Sequence, residues 1–401
     1  MISFKEAQKQ VLAKVTPIQE REAVSPIHGL GRVLSHSIPA PANVPNHDNS
    51  AMDGYAMRFS DLRRDKPVTL KVVADLPAGD LITEPVQPGQ AIRIMTGAPI
   101  PPNCDCVVMQ EVVNRDKKLI TVPGDQKQYQ HIRKAGEDIT VGDEVLPEGR
   151  RLKPADLGLL TSLGVSELSV FRRPVVALLS SGNEVIEAGN HLKPGQVYDS
   201  NRTTLHTALK ALGVDVLDLG VVKDNRSEVE RILHRGGEEA DAIISTGGVS
   251  VGDYDLIKEV LIQWGNIHFW KVAMKPGKPQ AYGKLGRALF FGLPGNPVSG
   301  LTVFLTIVRP ALIRLMGAKD EQPQLLTMRF KGKFKKKHSR MNFVRGIVHF
   351  DADEPWVETT GAQGSGILTS LSKANAFIIM PEELTTVNNG DMVKVQLIQY
   401  D

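Results

Sequence analysis

The sequence predicts a multidomain α/β protein: a central doubly wound α/β domain, β-rich N-terminal domains before it and a small, C-terminal β-barrel-like domain after it. Three observations lead there. At 401 residues the chain is long enough for roughly two to four domains. From Pro174 onward, β-branched apolar runs alternate with helical-period segments, the pattern of a mainly parallel sheet covered by helices. On either side that alternation gives way to short apolar runs broken by Pro, Gly, Asn and Asp, which read as short strands.

The first helix is marked by Ser3 and Glu6, an S-x-x-E capping box, with Phe4, Ala7, Val11, Leu12 and Val15 keeping one face apolar. From Ile18 to about Pro174, VTLKVVADL, AIRIM, CDCVVMQEVV and KLITV read as strands, and HDNSAMDGYA and IRKAGEDI stand out as polar stretches. PVVALLSSG is then a buried strand. NRTTLHTALKALG is a helix with Leu205, Ala208, Leu209 and Leu212 on one face, Ser200 or Asn201 as its cap and Gly213 as its stop. VDVLDLGVV, SEVERILHRG, DAIIS and DYDLIKEVLIQWG continue as strand, helix, strand and helix. HFWKVAM and ALFFGL are strands, and PVSGLTVFLTIVRPALIRLMG is a long helix bent near Pro310. After Gly317 a basic segment, RFKGKFKKKHSRMNF, leads into the strand-like runs RGIVHF, AFIIM and MVKVQLI.

Composition narrows the function classes. The 48 basic and 45 acidic residues nearly cancel and aromatics make up only 5%, which argues against a nucleic-acid partner. Cys104 and Cys106 form a lone C-x-C without the second pair that a structural zinc site needs, and they read as two small buried residues of a reducing compartment. The N-terminus lacks the apolar core of a signal peptide, and no apolar run is expected to reach membrane-spanning length. These readings point to a cytoplasmic chain with no membrane partner.

In doubly wound sheets, ligands bind beyond the carboxyl ends of the strands. Four such ends here carry polar or glycine-rich turns: SSGNEV with Glu184, VVKD with Asp224, STGGVSVGDYD with Gly247, Gly248 and Ser250, and GLPGNPVSG with Pro294, Gly295, Asn296 and Pro297. Small residues let backbone amides approach an anion, and a helix start favours one. Asp253 and Asp255 would repel that anion unless a cation lay between, so the turn points to a phosphate and a metal ion together. Magnesium asks for only one or two carboxylates beside phosphate oxygens and water, which makes Asp255 the candidate ligand, with Asp253 as a helix cap. GNPVSGLT has P-loop spacing, but Leu301 stands where the lysine must be, and no G-x-G-x-x-G follows a strand. The phosphate would therefore rest on backbone amides and on Lys271, Lys275 and Lys278 of KVAMKPGKP. The run Arg329–Arg340 reads as an anion-collecting rim near a cleft. With no H-E-x-x-H, G-x-S-x-G or Cys–His pair, covalent hydrolase chemistry finds no support.

In order along almost the whole chain stand DNSAMDGYA, RIMTGAPIP, RKAGEDI, STGGVSVGDYD, KPGKP, GLPGNPVSG and TTGAQGSG. Together they closely resemble the molybdopterin molybdenumtransferases, the molybdenum insertases related to the E domain of gephyrin. The resemblance implies a central domain of the molybdopterin-binding type at 174–318 and a C-terminal β-domain at 319–401. Residues 1–173 become two interleaved domains, a helical and linker part at about 1–45 and 140–173 and a β-rich part at about 46–139. It further implies transfer of molybdate to adenylylated molybdopterin with Mg2+-dependent release of AMP. A homodimer with a shared cleft and a molybdopterin adenylyltransferase as upstream supplier complete the expectation.

Carried over motif by motif, Asp255 is catalytic and holds the metal, alongside Glu184, Asp224, Lys271 and Lys275. Gly247, Gly248, Ser250, Pro294, Gly295, Asn296 and Pro297 cradle the nucleotide side, and Asp53, Thr96, Arg133 and Asp138 complete the substrate site. Asp53 and Thr96 are expected from the partner subunit. Lys275, Lys278, Pro279, Arg345 and Ser365 resemble the family's molybdate-binding set. Asn183, where many relatives have aspartate, and Lys134 and Ala135 depart from the pattern. A scaffold that binds molybdopterin without turnover would not need the acids at Asp255, Glu184 and Asp224. An adenylyltransferase would not need the N-terminal motifs or the C-terminal domain.

Overall fold

Strands that are apolar throughout must be covered on both faces, and helices with one apolar stripe supply the cover. The computed structural model, which describes residues 1–247, 256–264, 266–319, 323–350 and 354–400, shows this in its central part. Its six-stranded sheet runs in the order Asp215–Val222, Val175–Ser181, Ala242–Thr246, Ala288–Leu293, Pro279–Leu285, Asn266–Lys271. Along Val175–Ser181 the side chains alternate between two cores. Val176 and Leu178 join Leu205, Leu209 and the helix Pro297–Leu315 on one face, whereas Ala177 and Leu179 join Val229, Leu233 and Val260 on the other.

The first four strands are parallel, but Pro279–Leu285 runs against them, pairing antiparallel with Ala288–Leu293 on one side and with the edge strand Asn266–Lys271 on the other. The cause is local. Only Gly286 and Arg287 separate Leu285 from Ala288, with Gly286 at φ +59°, and a two-residue loop can close a hairpin but cannot cross over to a parallel neighbour. Helices Ser200–Leu212 and Arg226–Glu239 cross on opposite faces, so the chain reverses its winding between Val175–Ser181 and Ala242–Thr246. That reversal leaves a crevice at their carboxyl ends.

Helix ends refine the reading. The cap of Ser200–Leu212 is Asp199, whose Oδ1 accepts from the Arg202 N–H at 3.0 Å, one residue before the expected Ser200 or Asn201. Gly213, at φ +89°, closes the helix as expected. Pro297–Leu315 is α-helical to Val303, takes a π turn over Phe304–Val308 and resumes at Arg309. Pro310 has no N–H to offer the carbonyl of Thr306. That carbonyl instead accepts from Gln8 Nε2 at 2.9 Å, so the first helix completes the bonding of the bent one. At 19 residues and a mean hydropathy of 1.6 this helix does reach membrane-spanning length, contrary to expectation, yet it lies buried between the sheet, the helix Phe4–Lys14 and the barrel.

Phe4–Lys14 thus packs into the α/β core, its N-terminus capped by Ser3 Oγ accepting from the Glu6 N–H at 3.2 Å. Beyond it the chain goes out and returns: Arg21–Val24 pairs with Leu168–Phe171, and Ile38–Pro39 with Glu144–Leu146, over a core of Leu34, Leu152, Leu160 and Val170. Between these lies a separate six-stranded sheet, built from Gly54–Met57, Val68–Leu76, Gln90–Ile94, Cys106–Met109, Asn114–Asp116 and Leu119–Val122. Burial and the neighbouring Asp105 push both its thiols, Cys104 and Cys106, up to about 12. At the C-terminus, Leu325–Phe330, Trp356–Thr359, Met341–His349, Ala376–Met380 and Met392–Leu397 close into a five-stranded barrel. The short strand Met274–Lys275 pairs with its Met341–Asn342, and Phe343 and Phe377 enter the central core, where Phe343 meets Phe4 edge-on at 4.9 Å.

Candidate functional site

The turns at the switch point touch. Gly247 stands at φ +82° with its N–H on Leu293 O at 3.2 Å, and a Cβ there would come within 2.9 Å of Ser181 O. Only glycine lets the two turns lie this close. A Cβ on Gly295 would stand 3.8 Å from Gly247 Cα, so the PGNP turn abuts them as well. Beneath, the buried hydroxyls of Ser180 and Thr246 are 3.0 Å apart and link the two strands.

Asn183 joins the remaining strand end: its Oδ1 accepts from the Asp224 N–H at 3.1 Å, and Lys223 Nζ donates to Val185 O at 2.9 Å. The Glu184 carboxylate folds back over Gly182, whose hypothetical Cβ would lie 2.6 Å from it. Glu184 and Asp224 are exposed, and among the described residues no cation pairs with either. Gly248, Ser250, Asp253 and Asp255 lie outside the described residues.

The PGNP turn opens the 19-residue helix with Asn296 at the cap and Pro297 at the first position. The Asn296 side chain accepts nothing from the first turn, so the amides there have no side-chain acceptor among the described residues. Six residues along the same helix, about 9 Å at 1.5 Å per residue, Val303 meets the KPGKP loop. A Cβ on Gly277, at φ +101°, would be 2.5 Å from Val303 Cγ2. The loop is tied by Val272 N–H to Lys278 O at 2.8 Å and by Gln280 Nε2 to Gly277 O at 2.7 Å. That folding turns Lys271, Lys275 and Lys278 outward, with Lys271 in register with the half-buried Pro279.

Lys275 is also in register with Asn342, three residues before Arg345 on the barrel strand. Arg345 is 1% exposed and points inward. Its Nε donates to Ser370 Oγ at 2.8 Å and Nη2 to the carbonyls of Gly364 and Ala362 at 3.1 and 3.3 Å. Gln363 closes the arrangement, accepting from the Arg345 N–H at 2.9 Å and donating to its carbonyl at 3.1 Å. Arg345 thus grips from behind the loop that carries the half-buried Ser365. Ser370 and Gln363 escaped the sequence reading because nothing in a lone serine or glutamine announces a buried arginine.

On the N-terminal sheet, Asp53 Oδ1 accepts from both the N–H and the hydroxyl of Thr96 at 2.8 Å, and these bonds hold the carboxyl below its usual range. Nearby, Ile132–Arg133 pairs with Asn49–Ser50, Lys134 Nζ donates to Asp48 Oδ2 at 2.7 Å, and Asp138 bonds through its N–H to Val44 O at 3.0 Å. Asp53, Thr96, Arg133 and Asp138 all stay exposed. Among the described residues no hydrogen bond joins them to the strand-end turns.

The basic run is only partly a rim. Lys336 is buried and donates to the carbonyls of Arg340 and Pro381, Arg329 pairs with Glu354, and Lys331 lies 3.5 Å over the Trp356 ring. Among the described residues no group of three or more His, Cys, Asp or Glu is arranged to hold a metal. A cavity of about 800 Å3 lies at the far end of the strands, beside Lys210 and Asp215, and none of the candidate residues lines it.

Fold and site together define a doubly wound α/β protein with glycine-rich turns at its strand ends and a β-barrel set against the edge of its sheet. Residues 2–164 match the family described as MoeA N-terminal region (domain I and II), 177–314 a probable molybdopterin binding domain, and 327–398 the MoeA C-terminal region (domain IV). The molybdopterin molybdenumtransferase of Haemophilus influenzae is 39% identical over 399 residues, covering 99% of this chain and 98% of that protein. That of Nostoc sp. is 34% identical over 397 residues, covering 96% and 91%. The crystal structure of the molybdopterin biosynthesis moeA protein from Pyrococcus horikoshii OT3 superposes with a TM-score of 0.88 at 28% identity, over 99% of this chain and all of that one. The chain belongs to the MoeA family of molybdopterin molybdenumtransferases.

Proposed function

We propose that the protein inserts molybdenum during molybdenum-cofactor biosynthesis, transferring molybdate to adenylylated molybdopterin with release of AMP. One observation carries this reading: the PGNP turn and the KPGKP loop are braced by the same helix, about 9 Å apart along its axis. A nucleotide-bearing anion at one and an oxoanion at the other would lie within the reach of one substrate.

In this reading, the amides of Gly295 and Asn296, with those of Gly248 and Ser250, receive the phosphates, while Gly247, whose N–H is held by Leu293 O, and Pro294 and Pro297, which have no N–H, shape the turns around them. The outward Lys275 and Lys278 concentrate positive charge for a dianionic oxoanion, with Pro279, Ser365 and the loop gripped by Arg345 shaping its pocket. Arg345 acts there as a support, its Nε and Nη2 donating to Ser370, Ala362 and Gly364. Lys271 adds charge at the edge strand. Glu184 and Asp224, hard oxygen donors on neighbouring strand ends without a cation partner among the described residues, suit Mg2+, and Asp255 of the STGGVSVGDYD motif supplies a third carboxylate in this reading. Bound there, Mg2+ would neutralise charge on the phosphoanhydride.

Asp53 and Thr96 sit at strand ends of a sheet with its own core, and Arg133 and Asp138 lie on the short strand pair and loop beside it. This supports a homodimer in which that sheet completes the partner's cleft. A molybdopterin adenylyltransferase supplies the substrate, and the two unpaired thiols accord with a cytoplasmic setting.

The test is AMP release from adenylylated molybdopterin by the purified protein with Mg2+, with and without molybdate, beside Asp255→Ala and Lys275→Ala. Molybdate-dependent release, lost in Asp255→Ala and needing more molybdate in Lys275→Ala, is expected. Binding of the substrate without AMP release under any oxoanion would overturn the reading and favour a carrier.

A further inference from the structure

We infer that Asn201 is a positioning residue that sets the electrostatic polarity of the PGNP turn. The inference rests on the reading of that turn as the nucleotide cradle. Asn201 lies in the first turn of Ser200–Leu212, a helix already capped by Asp199, so its side chain is not needed as a cap. Its Nδ2 instead crosses to the carbonyl of Gly295 at 2.7 Å, a contact between residues far apart in the chain.

The consequence follows from peptide geometry. The Gly295–Asn296 bond is not among the cis peptides of the chain, and in a trans peptide the C=O and the next N–H point in opposite directions. With the Gly295 oxygen held by Asn201, the Asn296 N–H is turned away from Asn201, and it makes no hydrogen bond to any described residue. Glycine on one side and asparagine on the other are the residues that most readily permit a peptide flip, because both tolerate positive φ. A flipped peptide would present a carbonyl oxygen where a phosphate needs a donor. Asn201 removes that alternative.

The neighbouring residue supports the same end of the site from another direction. Arg202 pairs with Glu187 at 2.6 Å and with Asp218 at 3.0 Å, tying the segment that follows Glu184 to the same helix start. The first turn of Ser200–Leu212 is therefore a bracket between two of the strand-end turns.

The experiment measures AMP binding to the full-length protein with Mg2+ by calorimetry, for wild type, Asn201→Asp and Asn201→Gln, with thermal midpoints recorded alongside. Asn201→Asp keeps the shape but sets an acceptor against the Gly295 carbonyl. It is expected to weaken AMP binding roughly tenfold or more, the scale of one misplaced donor to a charged group, at a nearly unchanged midpoint. Asn201→Gln keeps a donor and is expected to recover part of the loss. AMP binding equal to wild type in Asn201→Asp would overturn the inference while leaving the nucleotide reading intact. A parallel fall in midpoint and affinity in both variants, without rescue by glutamine, would reduce Asn201 to a structural contact and overturn it too. Absence of AMP binding by the wild type would instead remove the nucleotide reading on which the inference stands.

Discussion

Replacing Arg345 by methionine separates a residue that touches the oxoanion from one that holds the loop around it. The guanidinium makes three hydrogen bonds, to Ser370 Oγ, Gly364 O and Ala362 O. Bonds from a charged donor contribute about 1.5 kcal/mol each at the low end, hence about 4–5 kcal/mol together. Against this stands the burial of the charge, which pulls the group down to about 10. At 1.36 kcal/mol per pH unit that penalty is roughly 3 kcal/mol. Methionine keeps most of the volume, so the net loss of stability should be only about 1–2 kcal/mol. The loop 361–367, in contrast, loses all of its attachment to the guanidinium. Urea unfolding followed through Trp356 should therefore show a small shift, while calorimetry shows molybdate binding weakened about tenfold or more. Unchanged molybdate affinity would refute the support role. A stability loss above about 4 kcal/mol would refute the reasoning about the burial penalty.

Gly277→Ala should cost about 1–3 kcal/mol, since its Cβ would meet Val303 at 2.5 Å on a backbone at φ +101°, and molybdate binding should weaken as the lysine loop shifts. Chemical denaturation and calorimetry read the two effects. Gln8→Ala leaves the Thr306 carbonyl without its donor and should lower stability by about 1 kcal/mol in the same denaturation assay, with AMP and molybdate binding unchanged. Burial opposes ionisation of Asp241, but hydrogen bonds from Arg172 and the Val175 N–H prevail and hold its carboxyl below the ordinary range. Its stabilisation is thus complete above the unfolded-state value near 3.8 and is lost as the pH falls through the lower folded value; Asp241→Asn should flatten that part of a stability–pH curve. With their thiols pushed up to about 12, Cys104 and Cys106 should resist iodoacetamide at pH 8 in the native protein and react on unfolding, as mass spectrometry would record.

The alternation of strand and helix from Pro174, the glycine-rich strand ends and the long helix bent near Pro310 are legible in the sequence alone. Each depends on contacts between near neighbours: side-chain periodicity, glycine's access to positive φ and proline's missing N–H. The motif set, spread along the chain, was enough to point to the family. What the sequence could not decide were contacts between distant segments. The reversed strand Pro279–Leu285, set by a two-residue loop, is hidden within an otherwise regular alternation that reads as mainly parallel. Only the tertiary structure shows Arg345 turned inward on Ser370, Lys336 spent on carbonyls rather than on a basic rim, and Gln8 completing a helix some three hundred residues away. It also shows Asn201 reaching Gly295 instead of capping its own helix. A polar side chain's partner is chosen by whichever unsatisfied group the packed core brings within about 3 Å, and that choice is made only when the chain has closed on itself.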